Sequence, residues 1–324
     1  MAASRRRAPD LSEPAAAPTT PDRGRARLEV SLVSNASTVT EAYAANPMKL
    51  LAPRSRGLSA WTYTSSFGGG LVAGDETRFD LHIRKGARCF VGTQSATKIY
   101  RNPHCRPCSH LTRAVLEPGS FLAFMPAPVQ PFADSSYSQR QTFHLAPGAG
   151  LVLLDWFTAG RPARGERWAF SHFSSRNEVF GGAEPSPLPA RQPGSAGASG
   201  PGGANGSATA REDASTERVF LDSIRLDAAG EPLLSPHRMG RFNCFAMLLL
   251  LGAPTRDAVA LMLATLGRRP VERRPSLLAS ASPVGDGAVL RVAAQQVETV
   301  EAELQRHLGF LDGWLDGLPW TRRW

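Results

Sequence analysis

The chain has 324 residues, of which 42% are hydrophobic and 20% charged, and carries a net charge of +9. These are ordinary proportions for a soluble protein with an ample core, and four cysteines are too few for a disulfide framework at this length. The arginines are scattered or sit in tail-like stretches, with no basic stripe interleaved with aromatics, which argues against a nucleic-acid partner.

Residues 1–26, rich in Ala, Pro and Arg, read as a disordered tail with no apolar export segment behind the arginines. From residue 27 to 183 the pattern is nearly all strand. In FGGGLVAGDETRFDLHIRKGARCFVGTQSATKIYR (Phe67 to Arg101) the glycines imitate two nucleotide motifs and fit neither. The dinucleotide fingerprint needs a helix next, yet Phe79, Leu81 and Ile83 alternate with Asp80, His82 and Arg84 as in a strand. A phosphate loop needs a lysine where Asp75 stands, and an aspartate repels phosphate. The glycines are therefore read as serving turns of positive φ or close backbone packing.

FDLHIRKGARCFVGT, LTRAVLEPGSFLAFM and FHLAPGAGLVLLDWF each place strand, glycine turn and strand around Gly86, Gly119 and Gly148. VFLDSIRLDAAGEPLL (Val219 to Leu234) reads as a fainter fourth copy. The expected fold is mostly β, with stacked sheets in a β-solenoid-like body and two C-terminal α-helices; an antiparallel meander would show the same turns. Residues 184 to about 216, rich in Pro, Gly, Ser and Ala, read as a disordered insertion within a single domain spanning 27–324. The run Phe245 to Leu251 is too short to span a bilayer, so a cytosolic, reducing location is expected. Thr255 is placed as the cap of a helix ending at Gly267, apolar nearly all round and so expected to be buried. Ala288 to Val292 reads as a short strand. Val297, Val300, Leu304, Leu308, Leu311 and Leu315 then share one helical face, with Glu298, Glu301, Glu303 and Arg306 off it.

No nucleophile elbow, zinc-protease motif or paired phosphate-loop element occurs. His82 and His144 are read as surface residues. His104, Cys105, Cys108 and His110 offer four nitrogen and sulfur donors on one short loop, suited to zinc, nickel or copper. That loop supports an alternative reading as a metalloprotein or metalloenzyme. A polar hairpin with two incidental thiols fits the same residues.

GGGLVAGDE followed by TQSATKIYR resembles a pattern of the UreD (UreH) family of urease accessory proteins. MPAPVQPFADSSYSQ and LLDWFTAGRPARGERWAF are similar to further segments of that family, in the same order. The resemblance implies a non-enzymatic scaffold that binds urease apoprotein and joins the UreF and UreG proteins to deliver nickel. It implies no tightly bound cofactor, only nickel in transit through a polar interior. By motif position it places Asp75, Glu76, Thr97, Asp155 and Glu166 near that route, where oxygen donors would release a divalent ion readily.

Overall fold

The structure, a computed structural model, describes residues 23–54, 57–102, 106–182, 216–229 and 232–322. The expected insertion therefore falls almost wholly outside the described residues, as does most of the expected N-terminal tail. The chain opens with β1 (Arg25–Val33), two residues inside the stretch expected to be tail, then β2 (Ala36–Ala44), β3 (Met48–Leu51), β4 (Ala60–Ser66) and β5 (Gly70–Leu71). Next come β6 (Glu76–Ile83), β7 (Arg88–Thr93), β8 (Thr97–Ile99), β9 (Cys108–Leu116), β10 (Phe121–Met125), β11 (Val129–Pro131), β12 (Ser136–Leu145) and β13 (Gly150–Thr158). A short hairpin, β14 (Gly160–Arg161) and β15 (Glu166–Arg167), leads to β16 (His172–Gly182) and β17 (Thr216–Asp227). The C-terminal part holds β18 (Cys244–Leu251), α1 (Arg256–Gly267), β19 (Leu277–Val284), β20 (Gly287–Ala294), α2 (Val297–His307) and α3 (Leu311–Leu315).

The three repeat copies are three rungs of a solenoid-like body. Their first strands, β6, β9 and β12, pair in parallel in one sheet, of order β17-β16-β12-β9-β6-β1-β2. Their second strands, β7, β10 and β13, pair in parallel in the other, of order β19-β20-β18-β13-β10-β7-β4-β3. Parallel pairing excludes a meander through this region. β5, β8 and β11 stack as a short third side. Gly86, Gly119 and Gly148 all have positive φ, near +70°, in equivalent turns. Each turn closes with the same bond, from Ala87, Ser120 and Ala149 to the carbonyl three residues back. A residue with a Cβ is strained at that φ, which is why glycine recurs.

Between the sheets, Leu81, Ile83, Leu116, Leu122, Phe124, Phe143, Leu151 and Leu153 form the main core. β13 is buried along its whole length, because its other face meets the C-terminal helices. There Val152, Leu154 and Leu248 pack with Val300, Leu304, Leu308, Leu311 and Leu315. The predicted apolar face is thus buried, but on two helices with a break around Gly309.

Several expectations give way. Val219 to Leu234 is no fourth rung: β17 is one long strand antiparallel to β16, followed by turns. α1 lies on the surface, with only Val259 and Met262 buried and Leu261 65% exposed. Its one-sided packing on β19 and β20 leaves apolar side chains outside. The Thr255 hydroxyl donates to the Gly252 carbonyl and so caps nothing, and Gly267 ends the helix from within. Glu303, placed off the apolar face, is buried, because Arg269 and Arg306 donate to it at 2.6 and 2.9 Å. His82 is buried against Glu117 at 2.9 Å, and His144 is half-buried and stacked on Phe180. Neighbouring rungs about 4.8 Å away crowd both rings. Among the described residues no helix is long and apolar enough to cross a membrane.

Gly182 and Thr216 are cross-strand partners, so the chain leaves and re-enters the sheet at one point. Replacing residues 183–215 by a two-residue Asn-Gly turn should therefore preserve the fold, read as an unchanged circular dichroism spectrum and melting temperature. A second prediction concerns Glu178, which is buried on β16. Hydrogen bonds from Arg176 and then Arg140 hold its carboxyl down to about 2 against the burial that would raise it. Its folded value lies below the ordinary one, so its stabilisation is complete above pH 4.5 and is lost as pH falls towards 2. Glu178→Gln should cost about 2 kcal/mol at pH 7, with the gap to wild type in urea titrations closing between pH 4.5 and 2.

Candidate functional site

Along the inner face of the first sheet, the rungs put equivalent side chains side by side. Register aligns Thr77, His110, Gln139 and Ser175 in one cross-strand row, and Thr112, Gln141, Asn177 and Asp222 in the next. These two rows form a polar belt between the apolar core near the glycine turns and a second apolar cluster around Tyr137, Phe157, Trp168 and Phe173. A buried polar group without a partner is costly, and the belt is closely hydrogen-bonded. Tyr137 donates to Gln139 at 3.1 Å, and Gln141 donates to Asn177 at 2.8 Å.

Asp155 reaches into the belt from β13. It accepts from Gln139 at 2.7 Å, Ser175 at 2.5 Å and Asn177 at 2.7 Å. Burial pushes its pKa up, those three donors oppose the rise, and nearby Asp222 adds to it. All three donors are neutral, so among the described residues no side-chain cation bonds this carboxylate. His110 is bonded at both ring nitrogens, to Thr77 at 2.8 Å and Thr112 at 3.0 Å. Desolvation lowers its pKa to about 4, which leaves the ring neutral at physiological pH.

A cavity of about 100 Å³ follows the belt, lined by Thr77, Thr97, His110, Gln139, Gln141 and Asp155 among others. That is room for several water molecules. A second, wider space opens between the β17 edge and β18–β20, lined by Asp155, Asp222, Ser223, Met247 and Arg291 among others. Asp155 belongs to both. Arg291 pairs with Asp222 at 2.5 Å across the two sheets at this opening.

Of the five residues placed near a route, Thr97 and Asp155 meet in the cavity; Asp75, Glu76 and Glu166 line neither space. Asp75 accepts the Val72 amide at 2.9 Å in the turn before β6, and Glu76 is exposed at the start of that strand. Glu166 accepts from Arg161 at 2.8 Å and from the Ala133 amide at 3.2 Å. The Arg161 bond is the main reason its pKa is lowered. Gln139, Gln141, Ser175, Asn177 and Asp222 were missed. For the two glutamines a signal was present: Gln139 and Gln141 precede Gly148 by the same nine and seven residues that separate His110 and Thr112 from Gly119.

In the His/Cys loop, His104 and Cys105 lie outside the described residues. Cys108 begins β9, buried, with its thiol 2.9 Å from the Val72 carbonyl. With His110 held by two threonines, the loop's two described donors already have protein partners. Among the described residues no three His, Cys, Asp or Glu side chains come together as metal ligands would. A Ser–His–Asp array does occur on the outer face of the first sheet. His172 bonds Asp227 at 2.5 Å through Nδ1 and Ser174 at 3.2 Å through Nε2. It sits on a strand flanked on both sides, whose amides belong to the ladders and leave no donor for an oxyanion.

The motif segments converge on the third side. Gly70 pairs with Lys98, and a Cβ at Gly70 would stand 2.4 Å from the Lys98 carbonyl. The Tyr100 hydroxyl donates to the Gly68 carbonyl at 2.8 Å, and its ring meets Phe132 edge-on. The Arg161 guanidinium lies over the Phe132 ring, 3.8 Å from its centroid. Residues 22–324 match the family described as "UreD urease accessory protein". The chain is 38% identical to the urease accessory protein UreD of Sorangium cellulosum, over 93% of this chain and 84% of that one. It is 34% identical to the UreD of Anaeromyxobacter sp., over 92% and 89% of the two chains. It is 29% identical to urease accessory protein D of Oryza sativa subsp. indica, over 90% and 94%. With matches of this extent laid over one continuous solenoid-like body, the chain belongs to the UreD family of urease accessory proteins.

Proposed function

We propose that the chain is a non-catalytic scaffold in urease maturation, which binds the urease apoprotein together with UreF and UreG and passes nickel through its interior. The observation that carries this reading is Asp155, a buried carboxylate shared by two spaces and bonded, among the described residues, by neutral groups alone. Among the described residues no cationic side chain bonds it, so a divalent ion in transit would find an oxygen donor there that is not already paired with a cation. The surrounding amide and hydroxyl oxygens are hard, weak ligands, and they are too few to trap nickel. Neutral His110 lines the same wall without repelling a cation. Asp75 and Glu76 directly precede Thr77, which lines the cavity, and so stand beside one end of the proposed path. Nothing in this reading asks the chain for a resident cofactor or a reaction of its own.

Co-expression with urease apoprotein and UreF should yield a complex containing this chain. Asp155→Asn should leave that complex intact while lowering the nickel content of the recovered urease several-fold, measured by plasma mass spectrometry. Failure of folded protein to enter the complex would remove the scaffold role. Full nickel content with the variant would remove the route.

A further inference from the structure

The outer face of the first sheet gathers arginines that are far apart in the sequence. Register places Arg25 on β1, Arg78 on β6, Leu111 on β9, Arg140 on β12 and Arg176 on β16 in one cross-strand row. At about 4.8 Å per strand the row spans roughly 19 Å. The adjacent row brings Arg27, Asp80, Arg113, Thr142 and Glu178 together. Arg25 faces Arg78 and Arg140 faces Arg176 directly, and like charges placed so destabilise a sheet. Within these two rows six arginines nonetheless stand against two carboxylates, Asp80 and Glu178. Arg140, Arg176 and Arg218 all converge on one carboxylate, that of Glu178. Among the described residues Arg25 and Arg113 have no ion pair. The helices pack against the other sheet, so among the described residues no helix neutralises or covers this face.

We propose that this face is a docking surface for a carboxylate-rich segment of another protein, laid across the strands. Acidic residues spaced one helical turn apart, about 5.4 Å, approach the pitch of the row. Neither long stretch of this chain outside the described residues supplies that charge. Residues 1–22 hold three arginines and three carboxylates, and 183–215 two arginines and three carboxylates. Asp80 and Glu178 interrupt the arginines, so a segment whose carboxylates are spaced to avoid them fits where an evenly charged phosphate backbone does not, which favours a protein over a nucleic acid. Fixed by Glu178, the guanidiniums of Arg140 and Arg176 are held in place before a partner arrives, so little side-chain entropy is lost on binding.

The test uses the full-length protein and fluorescein-labelled poly-L-glutamate, followed by anisotropy in 50 and 300 mM NaCl. Arg25→Ser with Arg113→Ser removes two arginines that hold no ion pair, so the fold should survive, checked by circular dichroism. This variant should bind about tenfold more weakly at low salt. Arg273→Ser with Arg274→Ser removes the same charge from an exposed segment elsewhere and should bind as wild type does. Equal loss in both variants, or no binding by wild type, would overturn the proposal. So would tighter, Arg25- and Arg113-dependent binding of single-stranded DNA of matched charge, which would make the face a nucleic-acid surface instead.

Discussion

In-register parallel stacking of the rungs is the constraint from which the rest follows. Strand side chains alternate with period two, and each rung is measured from its own turn glycine. Residues the same distance before Gly86, Gly119 and Gly148 must therefore lie side by side. Near the turns those positions are apolar and make the core. Farther back they are Thr, His and Gln, and stacking turns them into a buried belt. Such a belt survives burial only when nearly every donor finds an acceptor, and the chain from Tyr137 through Gln139 to Asp155 meets that demand. One carboxylate, that of Asp155, sits inside it, bonded among the described residues by neutral groups.

The motif residues serve a different end from the belt. Gly70, Tyr100, Phe132, Arg161 and Glu166 knit the third side of the body together, by backbone approach, ring contact and ion pair. Resemblance to the family therefore rests largely on residues that hold the rungs in place. The groups that would meet a passing ion are mostly ordinary amides and hydroxyls, whose positions matter more than their identity.

This division explains what was legible in the sequence. Alternation around recurring glycines exposed the strand–turn–strand units, and the shift to a helical period exposed the buried face of α2 and α3. Asp155 was reached through a motif and lines both spaces. Asp75, Glu76 and Glu166 came by the same reasoning and lie in a turn, at a strand start and in a hairpin. A motif preserves neighbours in sequence, whereas a belt is built from neighbours across strands. Residues such as Asn177, Asp222 and Glu178 are informative only once register is known, and register depends on which strands pair. The arginines of the outer face were dispersed for the same reason. α1 misled because its composition reports apolar content, while its burial depends on what lies to either side.

The central claim is that the space between the sheets is the path of the metal. Thr97→Phe places a ring in that space without altering any charge, so it separates obstruction from electrostatics. The measurement is the nickel content of urease matured by purified complexes carrying this variant, with complex assembly checked by size-exclusion chromatography. The account predicts intact assembly and urease nearly devoid of nickel. Normal nickel loading through a blocked interior would contradict it.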